Sequence, residues 1–195
     1  MKYKNIIMRK IVSLMHMSLD GFVADTEGSL SWVSLPPDMY KEVMQSIHKV
    51  DTAIYGRVVY YMMKNYWPTL LEKENVDEVS LDHAKWVQDV KKIVFSKTIN
   101  EELWNNTIQI KDNIKEEITK LKNEEGKDMM IFGSPSIVQE FIRLNLLDEL
   151  RIFLNPVILG EGTPMFKDVD MTKLNLIESK VYDSAVIKLI YKIKK

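Results

Sequence analysis

Three short apolar segments of this chain end alike, in Gly56-Arg57, in Ser96-Lys97-Thr98 and in Gly133-Ser134-Pro135. Each ending offers what a phosphate needs. Glycine lets the backbone approach, hydroxyls donate hydrogen bonds, and Arg57 and Lys97 bring full charges. Pro135 marks a helix start with Ser134 as its expected cap, so free N–H groups and the positive end of the helix dipole would face an anion. Ligands of open α/β sheets bind beyond the carboxyl ends of the strands. Three such ends in one sheet point to a dinucleotide with an extra ribose phosphate, NADPH rather than NADH. A single Gly-Ser-Pro would be no more than a helix cap, and neither G-x-G-x-x-G nor a P-loop occurs in the chain. The case rests on recurrence.

Two carboxylates compete for acid chemistry. Asp38 follows Pro36-Pro37 at a helix start. On the surface it would merely favour the helix dipole; in an apolar cleft beside Trp32 its pKa would rise, and it could bind or protonate a ring nitrogen. Asp20 is the competitor, although Leu19-Asp20-Gly21 reads as ordinary turn chemistry. Trp32 and Phe22 are the aromatic candidates for the substrate side, with burial in the core as the plain alternative. His16 sits in the apolar first strand and reads as a neutral wall or core histidine rather than a base.

Composition narrows the partners. The formal net charge is −1 and the pI about 6.3, so no basic excess suggests nucleic acid. There is no cysteine, which removes disulfide and thiolate chemistry. His16, His48 and His83 lie far apart, with no carboxylate at ligand spacing, and no metal site is expected. No apolar run is long enough to span a bilayer, and Arg9-Lys10 interrupt any signal-like N-terminus. A cytoplasmic enzyme acting on a small molecule fits best.

The positioning elements follow from periodicity. Residues 1–8 read as a tail and 9–195 as one domain. Ile11–Ser18 is a buried strand entering a turn at Asp20-Gly21; Asp25–Ser34 is a loop; Met39, Val43, Ile47 and Val50 mark a helix stripe. Thr52–Tyr55 is a strand, followed by a helix over Val58–Lys64 that stops before Pro68. An acidic loop over 69–79, a helix over Asp82–Val90 and strands at Ile93–Phe95 and Thr107–Ile110 come next. A helix over Asn113–Leu121, a strand at Met129–Phe132, a helix over Ser136–Leu144 and a strand at Leu150–Ile158 follow. The chain ends in a hairpin, Leu174–Val181 and Val186–Ile193, whose lysines from Lys188 onward read as a solvated face. The alternation implies an α/β fold of three layers: a mostly parallel mixed sheet, helices on both faces and a C-terminal antiparallel hairpin.

In order and spacing these segments resemble the dihydrofolate reductase-like fold, in the branch that includes the reductase domain of riboflavin biosynthesis. Trp32 to Asp38 is similar to that fold's W-x-L-P-x-D segment, with one extra residue after the Trp. Ile54-Tyr55-Gly56-Arg57, Ile93 to Lys97 and Ile131 to Ser134 resemble its three phosphate-side segments. Ser18 to Ala24 and Leu147 to Gly162 resemble the riboflavin-type branch. The resemblance implies that Met15, His16 and Ala24 line a nicotinamide site with backbone groups. It also implies that Gly56, Arg57, Ser96, Lys97, Gly133 and Ser134 contact NADPH phosphates, that Asp38 is the substrate-binding acid, and that 25–33 is a mobile flap. By apolar content and family habit, the terminal hairpin and Leu146-Leu147 form a homodimer interface.

Three departures bear on this. Val59 stands where the family often has Thr. Gly133-Ser134 replaces a Gly-Gly pair joined by a cis bond in folate reductases, and outside proline such a bond costs about 3 kcal/mol. Residues 88–92 hold no Arg, the group by which folate reductases bind the folate carboxylate. The expected reaction is hydride transfer to a pterin or aminopyrimidine rather than to folate. The rival is a non-catalytic nucleotide-binding or regulatory module on the same fold.

Overall fold

The computed structural model describes residues 8–194; residues 1–7 of the expected tail lie outside the described residues. The chain begins with β1 (Ile11–Met17), β2 (Phe22–Ala24), α1 (Pro37–Ile47), β3 (Val50–Gly56), α2 (Arg57–Leu70) and α3 (Glu78–Asp89). It continues through β4 (Lys91–Phe95), β5 (Thr107–Ile110), α4 (Ile114–Lys122), β6 (Asp128–Phe132) and α5 (Pro135–Arg143). β7 (Glu149–Leu154), β8 (Thr163–Pro164), β9 (Leu174–Val181) and β10 (Ile187–Ile193) complete it. Eight strands form one sheet in the order β5-β4-β3-β6-β1-β7-β10-β9. The strands from β5 to β7 are parallel, and the terminal hairpin adds two antiparallel strands.

Helices on both faces explain the unbroken apolar runs of the central strands. One face carries Ile11, Met15, Ile54 and Ile131 against Ile118 of α4 and Ile137, Val138 and Phe141 of α5. The other carries Val12, Leu14, Ala53, Tyr55 and Phe132 against Met39, Val43 and Ile47 of α1 and Tyr60 of α2. Each such side chain contributes about 1.5–3 kcal/mol of transfer free energy. α3 packs against α1 and α2 on this second face through His83, which shares a hydrogen bond with the Tyr40 hydroxyl (3.0 Å), stacks on Trp67, and lies near Trp86.

Several boundaries differ from the sequence reading. α2 runs through Pro68 to Leu70. Proline forfeits one intrahelical bond, and so near a helix end the loss is small; the Pro68 carbonyl still accepts from Leu71 N–H at 3.1 Å. β7 stops at Leu154 rather than Ile158, because Asn155 turns the chain: its amide donates to the Phe153 carbonyl (3.0 Å) and its side-chain oxygen accepts from Ser34 N–H (3.0 Å). Leu146 and Leu147 are buried in the core and offer nothing to a partner.

Lys188 is also not on a solvated face. It is buried, and it pairs with Glu42 of α1 and with Glu178 (2.6 Å). Glu42 additionally takes Lys180 (2.7 Å) and the Tyr182 hydroxyl (2.9 Å), fastening α1 to the hairpin. Burial pushes the Glu42 carboxyl up, but donors from Lys180, Lys188 and Tyr182 outweigh it and hold the pKa down at about 2. A depressed folded pKa means stability that is complete above the usual carboxylate range and drains as pH falls toward 2. Glu42→Gln should therefore lower unfolding free energy at pH 7 by about 2 kcal/mol, with wild type and variant converging by pH 2. Urea unfolding at pH 7 and pH 2 checks both parts.

Candidate functional site

β3 and β6 are neighbours, yet their following helices leave in opposite directions. α2 covers the face of Tyr55 and α5 the face of Ile54. Such a reversal opens a crevice beyond the carboxyl ends of the two strands. Its floor is one interaction: the Gly56 N–H donates to Ser134 Oγ at 2.8 Å, and that hydroxyl donates to the Phe132 carbonyl at 3.3 Å. Gly133 and Ser134 both adopt left-handed conformations (φ +52° and +58°), and the Gly133 N–H reaches the Leu14 carbonyl of β1 at 3.2 Å. No cis peptide occurs among the described residues.

The crevice is tight at both glycines. A Cβ on Gly56 would lie 3.3 Å from Ile137 Cγ1 and Ser134 Oγ, and one on Gly133 would lie 3.2 Å from Val59 Cγ2. Arg57 opens α2 beside it, exposed, with no hydrogen bond or ion pair to the described residues. Ser96 follows Phe95, which is paired with Gly56, so the β4 end lies alongside. The Ser96 hydroxyl accepts from Thr98 N–H (3.1 Å), and Lys97 pairs with Asp112 (2.6 Å) on the surface. Gly56, Arg57, Ser96, Lys97, Gly133 and Ser134 thus share one edge of the sheet. Ser134, however, does not cap α5 as expected: its hydroxyl points inward and its residue is buried.

Met15 is buried on the α5 face, while on the α1 face His16 stacks on Phe153, with centroids 5.2 Å apart and planes 21° apart. Burial lowers the His16 pKa from 6.5 to about 4, so the ring is neutral. Its Nδ1 is inaccessible and without a partner, whereas a satisfied core histidine would have one. Tyr55, also fully buried, has an unpartnered hydroxyl on the same face, and burial pushes its pKa well up. Phe153 and Tyr55 were missed in the sequence because strand aromatics carry no mark of which face they line.

The comparisons fit this geometry. Residues 9–188 match the family model of the RibD C-terminal domain. The chain belongs to that family. The uncharacterized protein YyaP of Bacillus subtilis (strain 168) is 35% identical over 188 residues, 96% of each chain. A candidate riboflavin biosynthesis protein of Shewanella sp. PV-4 superposes with a TM-score of 0.73 at 23% identity, covering 95% of this chain and 99% of that one. Dihydrofolate reductase of Enterococcus faecalis, complexed with NADP(H), gives 0.63 at 14% identity over 95% and 97% of the two chains. The reductase-like fold of the family is therefore established for this chain.

Within this RibD C-terminal fold, three assignments change. Asp38 is exposed in the first turn of α1, where it borders a cavity of 470 Å³ with Lys41, Glu42, Arg151 and Lys188; it is not in an apolar cleft beside Trp32. α1 turns a polar flank toward β10, so the cleft there is charged. Trp32 belongs to the loop, its indole N–H donating to the Ser29 carbonyl at 3.2 Å, and Phe22 lies in β2, paired with Pro164 of β8. Ala24, also in β2, presses its carbonyl so close to Gly162 that a Cβ there would fall 2.2 Å away. Among the described residues no group of His, Asp or Glu could hold a metal, and no helix is long and apolar enough to cross a membrane.

Asp20 is a structural fastener. One oxygen accepts from the Ser18 hydroxyl (2.7 Å) and Leu159 N–H (3.1 Å), the other from Gly160 N–H (2.7 Å). The Ser18 hydroxyl bond, with the two backbone donors, lowers its pKa and keeps it ionised. Asp20→Ala should speed hydrogen exchange of the Leu159 and Gly160 amides by roughly tenfold or more while central-strand amides stay protected. Amide exchange followed by NMR checks this, and unchanged rates would show that the loop holds itself.

Proposed function

We propose that this protein is a cytoplasmic NADPH-dependent reductase that transfers a hydride to a small heterocycle of pterin or aminopyrimidine type. The observation that carries this reading is the crevice at the β3–β6 reversal, where two strands end side by side and their helices part to opposite faces. It fits a pyrophosphate: the α2 and α5 amino ends open onto it, and Arg57 is unpaired among the described residues. Ser96 and Lys97 stand beside it to hold the extra ribose phosphate, with Lys97 exchanging Asp112 for the ligand. Backbone groups of Met15, His16 and Ala24 would hold the nicotinamide. When bound, NADPH supplies a hydride from its nicotinamide ring.

The protein's own share is orientation, closeness and exclusion of water. The loop over 25–34 is already knotted: Asp25 accepts from Glu27 and Ser29 N–H (2.9 and 2.8 Å), and Ser34 is tied to Asn155. It can lie over a bound ring and keep water out. Asp38, exposed and ionisable, anchors amino and ring nitrogens of the substrate from the mouth of the site. With Asp20 committed elsewhere, Asp38 is the carboxylate left for that task.

Titration with NADPH should raise the melting temperature, and Arg57→Ala should weaken NADPH binding by about tenfold, the scale of one charge-assisted hydrogen bond. Asp38→Asn should cut turnover far more than NADPH affinity. Fluorescence titration and an NADPH-oxidation screen with dihydropterins and aminopyrimidines read both. NADPH binding without turnover on any heterocycle would favour the non-catalytic module.

A homodimer also belongs to this reading, with a second copy on β9. This strand is an unpaired sheet edge whose Leu174, Leu176, Ile177 and Val181 are exposed, an arrangement that invites pairing with another strand. Antiparallel pairing about Ser179 sets Glu178 opposite Lys180 twice. Light scattering should give a dimer, and Ile177→Lys should give a monomer that keeps its NADPH affinity.

A further inference from the structure

α1 carries two stripes. Met39, Val43 and Ile47 face the core. Asp38, Lys41, Glu42, Gln45 and Ser46, with Lys49 just beyond the helix end, recur at helical spacing and line one cavity of 470 Å³. The opposite wall is sheet. Leu150 and Ile152 point to the α5 face, so Arg151 and Phe153 of β7 point to this one, where Lys188 of β10 and Lys180 of β9 join them. A helix laid on a sheet normally closes the contact with carbon. Here charged side chains stand between the two walls. The cavity can be entered, because Lys41, Gln45 and Lys49 are exposed along its rim and Arg151 keeps 21% of its side-chain surface open.

The charges in it do not cancel. Among the lining residues Lys41, Lys49, Arg151, Lys180 and Lys188 meet only three carboxylates, in a chain whose formal net charge is −1. Lys180 is spent on Glu42, and Lys188 on Glu42 and Glu178. Arg151 Nη2 pairs with Glu149 at 2.9 Å, but Lys10 takes the other oxygen of that carboxylate at 2.9 Å, so Glu149 does not neutralise both. Lys41 and Lys49 have no ion pair among the described residues, and they stand one turn to either side of Gln45. A positive surplus of two charges is left in a partly enclosed space, where salt screens less than on open surface. A phosphate group carries about −1.5 to −2 charges at neutral pH, with three acceptor oxygens. A single carboxylate would leave a cation over.

We propose that the cavity between the polar flank of α1 and strands β7 and β10 is an accessory binding site for a small phosphate-bearing ligand, held by Arg151, Lys41 and Lys49 with Gln45 and Ser46 as hydrogen-bond donors. The site is separate from the dinucleotide crevice and does not rest on the reductase reading. None of Gly56, Arg57, Ser96, Lys97, Gly133 or Ser134 lines it, and β1 lies between the two places in the sheet. Asp38 borders it at the first turn of α1, and its negative charge keeps the phosphate toward Arg151 and Lys49. The ligand therefore binds together with a dinucleotide, not in its place, and it ties the flank of α1 to the sheet.

The test titrates isotope-labelled protein with inorganic phosphate at constant ionic strength and reads backbone amide shifts by NMR. The expected shifts fall on residues 41–49, Arg151 and Ile190 and follow a one-site curve. Lys41→Gln and Lys49→Gln should each weaken phosphate by roughly three- to fivefold, the scale of one partly exposed charge. Both side chains are unpaired, so the variants should melt as wild type does. Lys115→Gln, the same charge change on exposed α4, should leave the affinity within about 1.5-fold. Succinate, a dianion without a phosphoryl group, should bind at least about threefold more weakly than phosphate. Shifts confined to Gly56, Gly133 and Ser134 would overturn the assignment, since they would mark the crevice. Equal weakening by Lys115→Gln, or succinate binding as well as phosphate, would overturn it too. NADPH titration is read separately: its failure strikes the reductase reading and leaves this site standing.

Discussion

The bond from Gly56 N–H to Ser134 Oγ decides where everything else in the site can be. It joins two neighbouring parallel strands at the level where their helices part to opposite faces. Without a tie at that level, the divergence of α2 and α5 would leave two strand ends splayed and their terminal amides pointing apart. With it, the amino ends of both helices open onto one crevice whose walls are Val59, Ile137 and the two glycines. The serine hydroxyl achieves this only by turning inward, and so it is withdrawn from any ligand. What this edge still offers an anion is its backbone amides and the exposed Arg57 side chain.

This explains which parts of the site were legible in the sequence. Glycines, hydroxyls and cations at strand ends marked the edge correctly, because strand-to-helix turns constrain residue type locally. What the types could not disclose was direction. Ser134 looked like a cap because cap and inter-strand tie draw on the same hydroxyl. Asp38 stayed open between a surface carboxylate and an acid in an apolar cleft because its surroundings depend on a distant event: the hairpin β9–β10 extends the sheet past α1, and the flank of α1 that meets it is polar, organised around Glu42. Asp20 read as turn chemistry, but the partners that fasten it, Leu159 and Gly160, are remote in sequence and left no local mark.

The fold was more legible than the site for a related reason. The apolar runs of β1, β3, β4, β6 and β7 are long enough to declare themselves, and the alternation with amphipathic helices allows few arrangements. β2 and β8 escaped notice because strands of three and two residues carry no periodicity. They exist through contact, with Gly162 yielding its side chain so that the Ala24 carbonyl can pass. Likewise α3 begins at Glu78, inside the stretch read as an acidic loop, because Asp77 accepts from Ser80 N–H at 2.9 Å and starts the helix there.

Buried polar groups are treated in two ways in this fold. At the amino ends of the strands Lys92 is fully buried, yet its ammonium donates to the carbonyls of Gln88 (3.0 Å), Val90 (2.9 Å) and Asn105 (3.2 Å) and sits 4.4 Å over the Trp104 ring. Burial lowers its pKa to about 8, but it remains charged at neutral pH because every donor is used. Lys92 is thereby fixed at the far edge of the sheet, out of reach of any ligand at the carboxyl ends. His16 Nδ1 and the Tyr55 hydroxyl, by contrast, are buried with no partner among the described residues. A sequence that can satisfy a buried ammonium with three carbonyls is able to satisfy an imidazole. The unpartnered atoms are spread through the molecule, Ser13 Oγ in the middle of β1 and His83 Nε2 on α3 among them, and each is a cost that the surrounding apolar packing outweighs.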